Sequence, residues 1–290
     1  MSFYKLIPLK IFLLLTSCAS TTVYTRSQLL MGHVPVTISV KIASHEKALA
    51  DQAMDQAYGV ARNLERQLSE WQATSQISCL NQNAGRKSCK FFPDTLRVLK
   101  QAKELAEKLD GYFDIRFASK TKAGIVGEII LDEKNKSGKL TDPETQIGLG
   151  AIAKGYIVDQ MLQQSELKKF TDVLISAGGD TASRGGPWPV AIQIPQQLPG
   201  KYTAPMFLKD QAIATSGNDE QPGHILSPKT MLRVERNQSV SVITNSLTLA
   251  DAMATGFYVA GELTSVELLK RFPGTIMVWT DPTGKTRHYP

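Results

Sequence analysis

From Val34 to Ile42 the chain alternates, with Val34, Val36, Ile38, Val40 and Ile42 separated by other residues. A period of two predicts a half-buried strand. The period then changes: Leu49, Ala53, Ala57, Val60, Leu64, Leu68 and Trp71 recur at intervals of 4, 4, 3, 4, 4 and 3, which stacks them on one face of a helix from about Glu46 to Trp71. A second helix is predicted from an Asp94 cap through Leu96, Leu99, Ala102, Ala106 and Leu109, stopping near Gly111. Further along, Glu128 to Leu131 reads as a strand, a helix begins near Ala151, and Asp172 to Ser176 forms a buried strand ended by Gly178-Gly179. Val190, Ile192 and Ile194 alternate before Pro195. A strand is expected at Val240 and Val242, a helix of small residues over 248–260, another over 262–271, and a last strand from Thr275 to Trp279. Strands and helices mix without a strict βαβ rhythm, so the expected class is α+β.

The first residues follow none of these periods. Residues 1–17 read MSFYKLIPLKIFLLLTS, with Lys5 and Lys10 ahead of an apolar run from Ile11 to Leu15. That run is far below the roughly 20 residues needed to cross a bilayer, so it reads as a secretory signal peptide. Leu15-Thr16-Ser17-Cys18 resembles the bacterial lipobox, which makes Cys18 the expected lipidated N-terminus. The chain then divides into a signal peptide (1–17), a Ser/Thr-rich tether (18–30) and one domain (31–290). The expected location is the bacterial cell envelope, with the domain in the periplasm and the inner membrane favoured. Cys79 and Cys89 remain as the only other thiols. An oxidising compartment permits them to pair, although spacing alone leaves the pairing open.

Composition narrows the classes further. Of 290 residues, 42% are hydrophobic and 21% charged, an ordinary globular balance that excludes wholesale disorder and a coiled coil. The net charge of +6 falls to +4 once Lys5 and Lys10 leave with the signal. The basic residues are dispersed, so no nucleic-acid partner is expected. Four histidines and three cysteines offer no spacing for a Cys/His zinc module.

Candidate chemistry lies in the second half. On the helix over 248–260, Asp251 and Thr255 are four residues apart and share a face. A carboxylate and a hydroxyl are hard oxygen donors suited to Mg²⁺; equally, an early-helix Asp can serve the helix dipole and the small residues close packing. His224 lies in a turn-rich loop and could act as a base. Gly178-Gly179-Asp180 could turn backbone N–H groups toward a phosphate, or be a plain turn. Lys154, at a helix start, could meet an anion or point to solvent.

The order of these segments resembles the ApbE family. The blocks are Gly150-Ala151-Ile152-Ala153-Lys154-Gly155-Tyr156-Ile157-Val158-Asp159, Ser176-Ala177-Gly178-Gly179-Asp180, Ala212-Ile213-Ala214-Thr215-Ser216-Gly217, His224-Ile225-Leu226-Ser227-Pro228-Lys229-Thr230 and Ala250-Asp251-Ala252-Met253-Ala254-Thr255. Fainter matches at Met31-Gly32, Trp71 and Gly111-Tyr112-Phe113-Asp114 extend the resemblance over roughly residues 31–280. It implies an α+β fold of two intimate lobes with FAD in the cleft between them. It further implies Mg²⁺-dependent transfer of FMN from FAD to a Thr or Ser hydroxyl of an acceptor protein, with release of AMP. Asp251, Thr255 and the Ala151 carbonyl take the family's metal positions. Met31, Trp71, Tyr112, Phe113, Asp114, Lys154, His224 and Ile225 take its flavin-nucleotide positions, and His224 and Asp251 its catalytic ones. The membrane is met only through the lipid anchor. The alternatives are hydrolysis of FAD to FMN and AMP, or FAD binding without catalysis. The chain departs from the family pattern where Gly148-Leu149-Gly150 lacks an Asp, where Met31-Gly32-His33 lacks a Thr, at Asp219 in place of Tyr, and at Ser227-Pro228 in place of Asp-Pro. The segment before Lys154 is short, and Ile115-Arg116-Phe117-Ala118-Ser119 replaces Thr-Val-Gly-Pro-Leu after Phe113-Asp114.

Overall fold

The computed structural model describes residues 21–119, 124–195, 201–217 and 225–290. The signal peptide, Cys18, Asp219 and His224 therefore lie outside the described residues. Among those described, the strands in chain order are β1 (Thr22–Leu30), β2 (Val34–Ile42), β3 (Cys89–Lys90), β4 (Ile129–Asp132), β5 (Ser137–Leu140), β6 (Val173–Ala177), β7 (Asp180–Arg184), β8 (Trp188–Val190), β9 (Met206–Leu208), β10 (Ala212–Ser216), β11 (Ser239–Thr244), β12 (Ile276–Thr280) and β13 (Thr286–Tyr289). The α-helices are α1 (Lys47–Leu68), α2 (Gln76–Gln82), α3 (Pro93–Lys108), α4 (Ala153–Leu162), α5 (Leu247–Ala260) and α6 (Glu262–Leu269). The class is α+β, as the mixed periods predict.

Eight strands form one sheet in the order β1-β2-β6-β7-β10-β11-β12-β13, and every neighbouring pair is antiparallel. Alternation sorts its residues onto two faces. Val36, Ile38, Val40, Val173, Ile175, Ala177, Ala214, Val242 and Trp279 join the main core together with buried residues of α1, α4 and α5. On the opposite face Ile213, Ile243 and Val278 pack with Ile192 and Leu208 from the β8–β9 hairpin. β11 is thus covered on both sides, and all six of its residues are buried. A smaller sheet, β3-β5-β4, forms a second lobe with α2 and α3. The Cys79–Cys89 disulfide, with S–S at 2.01 Å, ties α2 to β3 there.

The structure corrects three expectations. Most of the segment read as a tether is β1, paired with β2 from Thr22↔Ile42 to Leu30↔Val34. An edge strand with one wet face needs no apolar alternation, and apart from Leu30, which joins the core, its inward residues Tyr24, Arg26 and Gln28 carry polar groups. The Tyr24 hydroxyl donates to Asp51 Oδ1 at 2.7 Å and Arg26 pairs with Asp51 and Asp55 of α1. The first helix ends at Leu68, so Trp71 lies beyond it and is 89% exposed rather than part of the buried stripe. α3 starts at Pro93 with Phe92 in the cap position, because proline is favoured in the first turn, where its missing N–H costs nothing. Asp94 instead accepts the Tyr156 hydroxyl at 2.7 Å and pairs with Arg97.

Candidate active-site cavity

Two helix N-termini build the site. Asp159, in the middle of α4, accepts the Leu247 and Thr248 N–H groups at 2.9 Å and the hydroxyls of Ser246 and Thr248. These bonds satisfy orphan donors at the start of α5 and fix the two helices together. Contact is closest at Gly155, where a Cβ would stand 2.3 Å from the Leu247 carbonyl oxygen. Only glycine admits that approach. The Gly155 N–H then donates to Asp251 Oδ2 at 3.0 Å, so the carboxylate on α5 caps the first turn of α4.

Lys154, beside Gly155, reaches two buried carboxylates. It pairs closely with Asp180 Oδ2 and stands 3.6 Å from Asp251 Oδ1. Asp180 is fixed from the other side by the Thr215 N–H at 3.0 Å. One ammonium thus serves two carboxylates that are only 6% and 8% exposed. Asp180 is compensated at contact, whereas Asp251 is the carboxylate left short of positive charge in a medium that makes this costly. One turn along α5, the Thr255 hydroxyl meets Ser216 Oγ at 3.3 Å.

These groups line a cavity of about 850 Å³ that also takes in Val34, Tyr112, Phe113, Asp114, Gly150, Ala151, Gly178, Gly179 and Ile225. It continues round the end of the sheet to its other face, past Ser176, Thr181, Thr215 and Ser239, to Ile192 and Tyr202. Such a volume suits a dinucleotide-sized ligand. Of the sequence-predicted residues, Ala151, Lys154, Asp251, Thr255, Tyr112, Phe113, Asp114 and Ile225 are brought together here. Met31 and Trp71 are not among the lining. Met31 sits at the β1–β2 turn, where its N–H and that of Gly32 donate to Glu65. Trp71 borders a neighbouring cavity of about 580 Å³ with Glu70, Asn81 and Phe117, which shares Phe117 and Gly148 with the larger one. Burial raises the Glu70 carboxyl above its ordinary range. The departure at residues 115–119 has a local effect: Arg116 grips Asp114 through Nε and Nη2, the latter at 2.7 Å, and donates to the Gly127 carbonyl. The Asp114 carboxylate is therefore occupied within its own turn. At the cavity rim Lys229 Nζ lies 3.8 Å over the Tyr112 ring, a cation–π contact.

A divalent cation fits this donor set. Ala151 lines the cavity just ahead of α4, and the N–H of Gly155, which an α-helix would give to the Ala151 carbonyl, is given to Asp251 instead. α4 accordingly begins only at Ala153. That carbonyl, the under-compensated Asp251 carboxylate and the Thr255 hydroxyl are three hard oxygens on one wall, leaving further positions for phosphate or water. What the sequence left unassigned is how Asp159, Gly155 and the Asp180 carboxylate build the site, although all three stand in the blocks that carry the resemblance. The Gly-Gly-Asp turn was visible, but what its carboxylate faces is set by a strand and a helix distant in sequence.

Comparison with known proteins agrees with this architecture. A model described as the ApbE family matches residues 33–279. The FAD:protein FMN transferase of Klebsiella pneumoniae is 27% identical over 274 residues, covering 82% of this chain and 83% of that protein. That of Haemophilus influenzae is 22% identical over 266 residues, covering 77% of each. Among solved structures, the flavin transferase ApbE from Vibrio cholerae superposes with a TM-score of 0.77 at 21% identity, covering 93% of this chain and 97% of that one. The ApbE protein of Thermotoga maritima gives 0.77 at 21% identity, over 92% and 97%.

Proposed function

Because the chain belongs to the ApbE family, we propose that it transfers the FMN moiety of FAD to a Thr or Ser hydroxyl of an acceptor protein and releases AMP. The observation that carries this reading is the pairing of one ammonium with two buried carboxylates at the junction of α4 and α5, on the wall of a dinucleotide-sized cavity. Ala151, Asp251 and Thr255 would hold Mg²⁺, which supplies charge neutralisation at the pyrophosphate.

In the reaction the acceptor oxygen forms a bond to the phosphorus on the FMN side. The bond from that phosphorus to the bridging oxygen breaks, and AMP leaves with that oxygen. The acceptor proton passes to a base, for which His224 is the candidate. Catalysis of this kind is mostly positioning and electrostatics, and the described residues supply both. Asp159 and Gly155 lock two helix N-termini in place, with Asp159 capping α5 and Asp251 capping α4. Lys154, held by Asp180, brings a fixed positive charge whose counter-charge is already in position. Tyr112, held under Lys229, offers an aromatic face at the rim. The proposal includes lipidation at Cys18 and a periplasmic domain, on the strength of the lipobox and its preceding apolar run.

The test is incubation of the protein with FAD, Mg²⁺ and an acceptor domain, followed by mass spectrometry of the acceptor and chromatography of nucleotides. Flavin on the acceptor with equimolar AMP is expected. Free FMN and AMP without modification would replace transfer by hydrolysis, and bound FAD left intact would leave only a binding protein. In Asp251→Asn, transfer should fall at least ~100-fold, comparable to removing one strong transition-state contact. Activity within a few-fold of wild type at limiting Mg²⁺ would remove Asp251 from the metal site.

A further inference from the structure

The geometry points to a fixed orientation on the membrane: the end of the eight-stranded sheet that carries the start of β1 rests on the bilayer surface, and the cavity opens away from it. This rests on the proposed lipidation of Cys18 and adds to it where the domain must then sit.

The argument begins with the correction to the tether. Strand pairing starts at Thr22, only four residues after Cys18. At full extension four residues span about 14 Å, less than the width of the domain. A lipid at Cys18 therefore cannot leave the domain free to tumble above the membrane. It holds the first residues of β1 close to the headgroups.

What surrounds Thr22 is set by the register. Its cross-strand partner is Ile42, followed by the turn Ser44–Glu46 and the first residue of α1, Lys47. On the next strand Lys41 N–H donates to the Asp172 carbonyl, and Asp172 Oδ1 accepts the Gly186 N–H at 2.7 Å. The groups presented at this end are the exposed side chains of Val23, His45 and Lys47 with the half-buried Lys41. The nearby carboxylates are engaged internally: Glu46 accepts the Ala43 N–H at 2.8 Å, Asp172 pairs with Lys41, Asp210 accepts the Gly185 N–H at 2.7 Å, and Asp51 accepts the Tyr24 hydroxyl at 2.7 Å. Lys47, exposed and lying 5.4 Å over the Tyr24 ring, thus joins Val23 and His45 at the surface, while Lys41 is shared with Asp172 and Trp188 and the acids are tied down. That pattern tolerates an anionic headgroup layer, which attracts nearby Lys and Arg.

The cavity lies at the other end of the same strands. β1 runs nine residues from Thr22 to Leu30, roughly 30 Å at the usual strand rise. There Leu30 pairs with Val34. Val34 lines the cavity together with the Gly178-Gly179-Asp180 turn between β6 and β7. An anchor at one end therefore raises the mouth of the site about a strand's length above the bilayer. An acceptor protein must present its hydroxyl at that height, on a part that projects from the membrane.

The experiment uses the full lipidated protein on vesicles of phosphatidylethanolamine and phosphatidylglycerol, read by hydrogen exchange and mass spectrometry. The reference is the same lipidated protein with about twenty Gly/Ser residues inserted between Ser20 and Thr21, enough flexible chain to free the domain. In the native-length protein, exchange should be slowed several-fold over residues 22–26, 41–47 and 185–187 relative to the insertion variant, and unchanged at 31–34 and 178–180. Equal exchange in the two proteins, or protection at the cavity end, overturns the orientation while leaving the anchor intact. Intact mass separates the two readings: a protein without lipid on Cys18 removes the anchor, and the orientation with it.

Discussion

Gly155 offers a prediction whose sign is decided by tertiary contact. In a helix interior, glycine to alanine ordinarily stabilises by roughly 0.5–1 kcal/mol, because alanine loses less backbone entropy. At Gly155 the new Cβ would lie 2.3 Å from the Leu247 carbonyl oxygen, 2.6 Å from its carbon and 2.9 Å from the Thr248 nitrogen. A comfortable C···O approach is about 3.3 Å or more, so roughly 1 Å must be found. The obstacle is backbone, and that backbone is held by the Asp159 carboxylate through Leu247 and Thr248. Overpacking of this kind costs about 1–3 kcal/mol; with a rigid neighbour the upper value applies, and the net change after the propensity gain is about 2 kcal/mol destabilising. At about 2–4 °C per kcal/mol for a domain of this size, Gly155→Ala should lower Tm by roughly 4–8 °C. Gly59, inside α1 with nothing within 4 Å of its hypothetical Cβ, is the matched control. Gly59→Ala should raise Tm by ~1–4 °C. The same 1 Å shift separates Lys154 from Asp251, and a misplacement of that size costs on the order of 100-fold in rate, so Gly155→Ala should also depress flavin transfer where Gly59→Ala does not. Thermal melts of both variants, paired with single-turnover transfer, decide the matter. A Gly155→Ala protein as stable as Gly59→Ala would refute the close helix junction from which the site has been built.

His224→Ala should cost about 10²–10⁴ in transfer, the range for a positioned base, while FAD affinity changes much less; loss of FAD binding with no separate rate defect at saturation would make His224 a binding residue. Reducing the Cys79–Cys89 disulfide, which closes a loop of sequence separation 10, should destabilise by roughly 3 kcal/mol on the loop-entropy scale. Asp251 and Lys154 lie in the other lobe, so bound FAD should slow unfolding in both redox states; an unchanged Tm on reduction counts against a structural bond. The Arg287 guanidinium, with the Tyr289 hydroxyl, holds the Glu262 carboxyl below its ordinary value. A depressed carboxylate stabilises the fold above its unfolded pKa of about 4.3, and that stability is lost as pH falls through the lower folded value. Wild type should therefore lose about 1 kcal/mol more than Glu262→Gln on acidification through this range; parallel pH profiles would show that the pair does not secure β13.

Much of the architecture was legible because periodicity reports burial directly. β2, α1 and β6 each bury one face, and their apolar spacing matches strand or helix geometry without reference to any other segment, whereas α5 is buried nearly all round and was marked by its small residues. The candidate site was legible as a set of residue types in order, with Asp251 and Thr255 on one helix face by spacing alone. β1 escaped because an edge strand draws its pairing energy from backbone bonds to β2 and its side-chain partners from α1, so its own sequence carries no apolar period. What only the tertiary structure decided is which carboxylate is short of charge. Asp180 and Asp251 look alike as single residues. Their difference arises because Lys154, fixed by the Gly155 junction, reaches Asp180 at contact and Asp251 only at 3.6 Å. Electrostatic interaction depends on distance and surrounding dielectric, and both are set by chain segments some thirty to a hundred residues away. The sequence by itself determined the carboxylates; the packing of α4 against α5 determined which of them Lys154 meets at contact and which only at 3.6 Å.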